Sequence, residues 1–305
     1  MIVGMDTSCY TTSVALMQQS RLIVDLRRLL TVENRSRGLR QSEAVFQHIK
    51  NLPPLMEELK TALGGADIRG VAVSVKPRPV EGSYMPVFRA GEAAAATIAA
   101  AARCPLWPVS HQEGHLAAAC WSLGMWPRRP FIAAHLSGGT GEILYVEPQD
   151  AGFAIQAVGS ADLAPGQFVD RLGVAMGLPF PAGPALESLA VNACEDAFPL
   201  KAAVRGGDMS FSGPESAAQR ALQSGVSPGA LAKGIFVNIG ASLKKALAWA
   251  LAEYHCDMAL VAGGVAGNSL VKAYLSSLPQ ALFAGPAYSG DNSVGVAYLG
   301  QRRLD

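Results

Sequence analysis

Residues 131–148, FIAAHLSGGTGEILYVEP, form the stretch that decides the fold. An apolar run, a turn of Ser, Gly and Thr, and a second apolar run predict two antiparallel strands joined by a tight turn. The same pattern occurs about 130 residues earlier, in IVGMDTSCYTTSVALM at 2–17. A third strand follows each pair, LIVDLRRL at 22–29 and FAIQAVGSA at 153–161. The repeat predicts two similar lobes that face a cleft.

The remaining segments alternate between helical and strand patterns, which is typical of an α/β protein. Residues 41–63 and 86–102 are predicted helices, and IRGVAVSV at 68–75 is a predicted buried strand. The strand, glycine-rich turn and helix start of DMALVAGGVAGNSL, residues 257–270, repeat this arrangement in the second half. We expect residues 200–216 to form a long loop.

Composition predicts a compact globular protein, because half of the 305 residues are hydrophobic and only 16% are charged. The five cysteines are scattered and contain no C-x-x-C pair, which favours reduced thiols over a disulfide framework. The N-terminal residues lack the pattern of a signal peptide, and the Ala-rich run at 90–102 is too short to span a bilayer. We therefore expect a soluble, cytoplasmic protein without a membrane partner.

Two glycine-rich turns, LSGGTG at 136–141 and AGGVAGN at 262–268, follow predicted buried strands. Backbone N–H groups in such turns can surround a phosphate, because glycine has no Cβ to obstruct the approach. Tight turns also use glycine for purely structural reasons. The two turns indicate either a nucleotide or phosphoester site, or ordinary connections.

The stretch VSHQEGHLAAAC, residues 109–120, places His111 and His115 on one face of a predicted helix, where both could bind a metal ion. Zinc proteases need a glutamate directly after the first histidine, whereas Glu113 lies two residues on, about 200° around the helix. Ser110 and Glu113 instead match a capping box. The pattern argues against a protease helix and leaves a metal site or two exposed polar residues. A metal site needs a third ligand from Asp or Glu elsewhere.

Several motifs, in order and at fitting spacing, resemble the tRNA N6-adenosine threonylcarbamoyltransferases, the former M22 glycoproteases. This chain has DTSC at 6–9 and continues to H-x-E-G-H-L-x-A at 111–118, and the family has a similar pair of motifs in the same order. The other similar stretches are HLSGGT at 135–140, GQFVDRLGVAMGLPFPAGP at 166–184, FSGPESA at 211–217, VAGGVAGNSLV at 261–271 and YSGDNSVGVAYLG at 288–300.

The resemblance implies a fold of two similar actin-like ATPase lobes, built from duplicated RNase H-like βββαβαβα units around a central cleft. It places an N-terminal lobe at 1–125, completed by the C-terminal helix at 289–305, and a C-terminal lobe at 126–288. It also implies a soluble protein that acts on tRNA, with a smaller homologous subunit and an ATPase as possible partners.

The implied reaction transfers a threonylcarbamoyl group from its adenylate to N6 of adenosine 37 in tRNA. By resemblance, Asp291 joins His111 and His115 as the third ligand of one divalent ion, Fe²⁺ or Zn²⁺. The positions similar to the family's nucleotide contacts are His135, Leu136, Ser137, Gly138, Gly139, Asp170, Gly183 and Asn268.

This chain departs from the family pattern near the reactive end of the nucleotide. Tyr10 and Thr11 replace an acidic pair, Gln167 replaces a glutamate, Lys76 and Arg78 stand where the family has small, flexible residues, and Thr140 replaces a histidine. Two hypotheses follow: a working transferase, or a diverged paralogue that binds metal and nucleotide and acts as a partner or regulatory subunit. A metallopeptidase is a third, weaker hypothesis, since no general base stands beside the metal ligands.

Overall fold

The computed structural model describes residues 1–8, 10–32 and 39–305. The first sheet contains β1 Ile2–Asp6, β2 Thr11–Gln18, β3 Arg21–Leu29, β4 Gly70–Lys76 and β5 Leu106–Ser110. The second contains β6 Phe131–Leu136, β7 Gly141–Gln149 and β8 Gly152–Ser160. After a separate hairpin of β9 Ala203–Arg205 and β10 Asp208–Ser210, it is completed by β11 Ala259–Ala262 and β12 Ala281–Phe283.

The two five-stranded sheets have the same topology. The first runs β3-β2-β1-β4-β5 across the sheet, and the second runs β8-β7-β6-β11-β12. In each, the first three strands pair antiparallel, and the remaining two join parallel to the central strand. The duplicated α/β architecture predicted from the repeated hairpin is confirmed, because only a repeat of the whole unit gives matching strand orders.

Helices fill the connections and the space between the sheets. They are α1 Gln41–Leu63, α2 Phe88–Ala102, α3 His111–Ser122, α4 Pro165–Ala175, α5 Gly183–Asn192, α6 Ser212–Gln223, α7 Pro228–Glu253, α8 Ser269–Leu275, α9 Pro286–Ser289 and α10 Val294–Leu304, with a short 3-10 helix at Gly264–Gly267.

Helices α3 and α10 pack against each other and form the centre of the molecule. Helix α10 contacts β1, β2 and β4, and α3 contacts β4 and β5 on one side and β6, β8 and β11 on the other. A buried apolar cluster joins the elements, and Met17, Leu116, Phe131 and Val296 are among its members. The chain's last helix therefore returns to the first sheet. The lobe boundaries stay a proposal.

Helix α7 is the core helix of the second half. Its length and hydropathy match those of a membrane span. Sixteen of its residues are nevertheless buried in the protein. They pack in a second hydrophobic core, which the second sheet forms with helices α4 to α8. Burial inside the fold explains its apolar composition.

The prediction that 200–216 forms a long loop is wrong. Strands β9 and β10 form a hairpin there, and α6 begins at Ser212. The two-residue turn is Gly206-Gly207, and Gly206 has the positive φ (+59°) that such hairpins need. Asp162 holds the segment by accepting hydrogen bonds from the backbone N–H groups of Phe211 and Ser212. Three-residue strands are too short to show an alternating pattern in the sequence.

Candidate metal centre and adjoining cleft

Helix α3 begins directly at the end of β5, and its cap determines how its side chains point. Ser110 accepts a hydrogen bond from the backbone N–H of Glu113, and the Glu113 carboxylate accepts from the backbone N–H of Ser110 at 2.8 Å. The predicted capping box is confirmed. Glu113 is thereby held at the cap, while His111 and His115 share the opposite face of the first turns.

Asp291 lies in the turn that precedes α10. The Asn292 side chain donates to the carbonyl oxygens of Tyr288 and Gly290, and it accepts from the backbone N–H of Val294. The backbone N–H of Ser293 donates to the hydroxyl of Ser13 on β2 at 2.8 Å. These bonds attach the turn to the first sheet and fix the position from which the Asp291 carboxylate reaches α3.

The structure brings His111, His115 and Asp291 together. The two Nε2 atoms lie 3.0 Å apart, and the Asp291 Oδ1 lies 3.6 Å from Nε2 of His111 and 3.4 Å from Nε2 of His115. With bonds of about 2.0–2.1 Å, two ligands of a tetrahedral ion lie about 3.3 Å apart. The three separations are close to this distance between two ligands, so the donor set fits one small divalent ion. That the three residues bind a metal ion stays a prediction.

Asp6, at the end of β1, supports this cluster. Its carboxylate accepts hydrogen bonds from the backbone N–H of Ser8 at 2.8 Å, from the Ser74 hydroxyl and from Nδ1 of His111 at 2.9 Å. A carboxylate on Nδ1 leaves Nε2 of that imidazole free to bind a metal ion. Sequence reasoning missed Asp6, although a carboxylate at the end of a buried central strand was a visible signal.

The charges of the cluster favour a cation. Burial lowers the pKa of His111, but the carboxylates of Asp6 and Asp291 outweigh it and raise that pKa to about 10. Burial raises the pKa of Asp291, but hydrogen bonds and charge from the two histidines outweigh that effect and hold the pKa well below its usual range. Burial and the charge of His111 lower the pKa of His115. Positive charge is therefore stabilised between the carboxylates.

His135, at the end of β6, lies beside the three residues. Its ring centroid is 4.7 Å from that of His115 and 6.4 Å from that of His111. The residue is only 3% exposed, and neither ring nitrogen has a hydrogen-bond partner among the described residues. Burial, and then the charges of His115 and His111, keep its pKa well below the ordinary value, so the imidazole is neutral.

Two cavities meet at Gly138. One, of about 630 Å³, contains His111 and Asp291 and is also lined by His135, Ser137, Gly138, Gly139 and Thr140. The other, of about 320 Å³, is lined by Gly138, Asp170, Gly183 and Asn268 among others. Seven of the eight residues predicted to contact a nucleotide thus line one cavity or the other. Leu136 is the exception, because its side chain is 1% exposed and packs in the hydrophobic core between the second sheet and helices α4 to α8.

Asp170 and Asn268 each have a structural partner as well as a place in the smaller cavity. Asp170, on α4, accepts a hydrogen bond from the backbone N–H of Ala182 at 2.8 Å, and burial raises its pKa. Asn268 caps α8 by accepting from the backbone N–H groups of Leu270 and Val271. Their nucleotide contacts stay predictions.

Three of the residues that depart from the family pattern, Tyr10, Arg78 and Thr140, line the larger cavity. Tyr10 lines it, and its ring contacts that of Phe180 at 5.8 Å between centroids. Arg78 reaches from the loop after β4 to Glu142 on β7, with 2.7 Å between Nη1 and Oε1. Gln112 donates to the second oxygen of the same carboxylate at 2.7 Å. Arg78 therefore links the two sheets at the rim of the cavity by an ion pair.

Comparison with known proteins identifies the family. Residues 29–298 match the family model TsaD, described as tRNA N6-adenosine threonylcarbamoyltransferase. A protein of that name from Thermus thermophilus is 32% identical over 99% of this chain and 92% of its own length. Another from Caulobacter vibrioides is 30% identical over 100% of this chain and 87% of its own length.

Solved structures show the same fold at low sequence identity. HypF from T. kodakarensis superposes with a TM-score of 0.65 at 14% identity, over 99% of this chain and 47% of the HypF chain. A ROK family glucokinase from Streptomyces griseus gives 0.54 at 12% identity, over 99% of both chains. The actin-like ATPase fold is confirmed. The chain belongs to the tRNA N6-adenosine threonylcarbamoyltransferase family, as its motifs indicated, and is a transferase of tRNA modification.

Proposed function

We propose that this family member transfers a threonylcarbamoyl group from threonylcarbamoyl-AMP to N6 of adenosine 37 in tRNA, with one divalent ion, Fe²⁺ or Zn²⁺, held by His111, His115 and Asp291. One observation carries the proposal: three candidate metal-ligand side chains converge beside a cavity that His111 and Asp291 line, and this cavity meets, at Gly138, a second cavity of a size suited to part of a nucleotide.

The metal site is supported by its donors. Two imidazoles and one carboxylate leave coordination positions open, and they suit Fe²⁺ or Zn²⁺. A divalent ion bound there would supply Lewis-acid polarisation of a substrate oxygen. Asp6 holds His111 through Nδ1, so the chain itself orients that imidazole before any ligand arrives.

Glycines around the smaller cavity support a nucleotide there. At Gly138, Gly183 and Gly264, an added Cβ would meet no described atom within 4 Å, and none of the three has a positive φ. Neither packing nor backbone conformation therefore requires glycine at these positions. A ligand that approaches the backbone closely would require it. Gly213, at the start of α6, has equally open surroundings but does not line the cavity, and so provides a matched control.

Positioning of the two substrates accounts for the proposed chemistry. The N6 nitrogen of adenosine bonds to the carbamoyl carbon, the bond from that carbon to the phosphate oxygen of AMP breaks, and the N6 proton is released. No covalent intermediate with the protein is needed. An enzyme that holds the two reactants in the correct orientation, and directs dipoles at the developing charge, can supply most of the rate enhancement of such a transfer.

A diverged paralogue without this activity is the alternative, and one observation favours it. Tyr10 lines the larger cavity and contacts the ring of Phe180, so an aromatic side chain lies where the family has a carboxylate. Such a protein would bind metal and nucleotide and act as a partner or regulatory subunit.

The deciding experiment incubates the purified chain with threonylcarbamoyl-AMP and unmodified tRNA, and measures modified adenosine by mass spectrometry. The reaction includes the two partners that we propose, a smaller homologous subunit and an ATPase. We propose that the three proteins act in the cytoplasm. We expect modification by the wild type and none by Asp291→Ala. No modification by the wild type, together with intact adenylate binding, would favour the paralogue.

A further inference from the structure

We infer that Arg78 binds the carboxylate of the threonyl group in the acyl donor, and thereby selects a donor that carries an amino acid. This inference rests on the proposed function, because its ligand is the proposed donor, threonylcarbamoyl-AMP. In that molecule the threonine nitrogen is acylated, and the threonine carboxylate stays free and negative at neutral pH. Only the nitrogen and Cα separate this carboxylate from the carbamoyl carbon. A contact to it would therefore orient the reacting end of the donor.

The larger cavity is where the threonyl group would lie. Gly138 lines both cavities, so an adenylate in the smaller one would extend past Gly138 toward His111 and Asp291. Of the lysines and arginines in the described part of the chain, only Arg78, in the loop that follows β4, lines the larger cavity. Of the two carboxylates there, Asp291 faces the histidines and Glu81 is exposed to solvent. Arg78 is thus the cation available for an anionic acyl group.

The guanidinium of Arg78 is held in place before any ligand binds. Its Nη1 lies 2.7 Å from Oε1 of Glu142, and Gln112 fixes that carboxylate by donating to its other oxygen. The backbone N–H of Arg78 donates to the Ser83 hydroxyl at 3.0 Å, which closes the loop. Nε and Nη2 have no partner within residues 1–8, 10–32 and 39–305. A guanidinium has five N–H donors, so this oriented side chain keeps several for a second carboxylate.

The residue types around the cavity also favour an anion. The family pattern has small residues where this chain has Arg78, and an acidic pair where it has Tyr10 and Thr11. The first change adds positive charge to the lining, and the second removes negative charge from the first hairpin, where Tyr10 lines the cavity. The fold does not require an arginine at position 78, because the family builds the same loop from small residues. Binding of a negatively charged group gives both changes a physical reason.

The test compares three ligands of the full-length protein by titration calorimetry: threonylcarbamoyl-AMP, its threonine methyl ester and AMP. The ester replaces the negative carboxylate with a neutral group, and AMP lacks the whole threonylcarbamoyl group. Hydrogen bonds to charged groups change affinity by about tenfold or more, and the half exposure of Arg78 places the effect at the lower end. We therefore expect the wild type to bind the acid about tenfold more tightly than the ester. Arg78→Gln should bind the two equally and should keep its affinity for AMP.

Two further variants serve as controls. Arg28 has similar exposure (48%, against 52% for Arg78) and an ion pair to Glu58, but it does not line the cavity. Arg28→Gln should keep the preference for the acid. Arg78→Lys keeps the charge but loses the planar fork, so it should keep only part of the preference. Thermal unfolding verifies that each variant folds.

Arg78→Gln also leaves the buried carboxylate of Glu142 without its ion pair, and repulsion from that charge could by itself remove the preference. The double variant Arg78→Gln/Glu142→Gln removes both charges. Acid and ester should still bind equally to it, because a direct contact needs the guanidinium. A preference that returns in the double variant would assign the effect to Glu142 and overturn the inference.

Other outcomes separate the role of Arg78 from the proposed function. If the wild type binds acid and ester equally but still modifies tRNA, only the role of Arg78 is wrong. A preference for the acid that persists in Arg78→Gln would assign the carboxylate to another cation, such as the metal ion, with the same consequence. If the wild type binds threonylcarbamoyl-AMP no more tightly than AMP and modifies no tRNA, the proposed function itself fails, and the role of Arg78 with it.

Discussion

Replacing Gly295 with alanine tests how far the candidate metal centre depends on the contact between α3 and α10. A Cβ at Gly295 would lie 1.9 Å from the carbonyl oxygen of Gly114 and 2.4 Å from the backbone nitrogen of Ala118. Both atoms belong to the backbone of α3, so no side-chain rotation can relieve the overlap. Ordinary carbon–oxygen contacts lie at about 3.3 Å or more, which requires the helices to separate by about 1.4 Å.

This separation acts directly on the ligands, because Asp291 is four residues before Gly295 and His115 follows Gly114. Metal–ligand distances vary by only about 0.2 Å between sites, several times less than the displacement. We expect Zn²⁺ affinity to fall at least about tenfold, or about 1.4 kcal/mol. Overpacking should also lower the free energy of unfolding by about 1–3 kcal/mol. Chelator competition and urea unfolding measure the two effects.

Gly114→Ala is the control on the facing helix. Its Cβ would meet only the Cγ2 methyl of Val296, at 3.1 Å, and a methyl group can move by a few tenths of an ångström. Zn²⁺ affinity should therefore stay close to that of the wild type. Wild-type affinity and an unchanged urea midpoint in Gly295→Ala would refute the idea that backbone contact between the helices sets the ligand geometry.

Three further predictions use other parts of the site and fold. Gly183→Ala should weaken adenylate binding in calorimetry without lowering the melting temperature, because alanine favours helix α5; equal binding would contradict a close nucleotide approach. Arg78→Ala should lower unfolding free energy by about 1 kcal/mol, since its partner Glu142 is buried but Arg78 is half exposed. That loss should disappear in a Glu142→Gln background, and a loss that persists would assign it to another contact. Burial raises the pKa of Cys120 to about 12, so at pH 8 its thiolate is scarce, and alkylation followed by mass spectrometry should label exposed Cys194 first; equal labelling of both would contradict this.

The peptidase hypothesis has no support from the site. The only carboxylate between the two histidines, Glu113, is bound to the cap of its own helix. It therefore cannot serve as a base for a water molecule at Nε2 of the histidines. The family match to transferases agrees with this geometry.

The sequence alone determined the duplicated architecture, the capping box at Ser110 and the family. Each depends on neighbours in the chain: alternating apolar runs, a Ser and a Glu three residues apart, or motifs in order. The same local information was too weak for the short hairpin at 203–210, whose strands have three residues each.

The family resemblance grouped Asp291 with the two histidines, but only the tertiary structure set the distances among the three side chains, joined the two cavities at Gly138, and placed Asp6 and His135 beside the cluster. These residues lie far apart in the chain, and their meeting depends on how two sheets and the glycine contact between α3 and α10 pack. Packing of this kind is set by the shape of side chains across the whole core. No spacing of residues along the sequence encodes it.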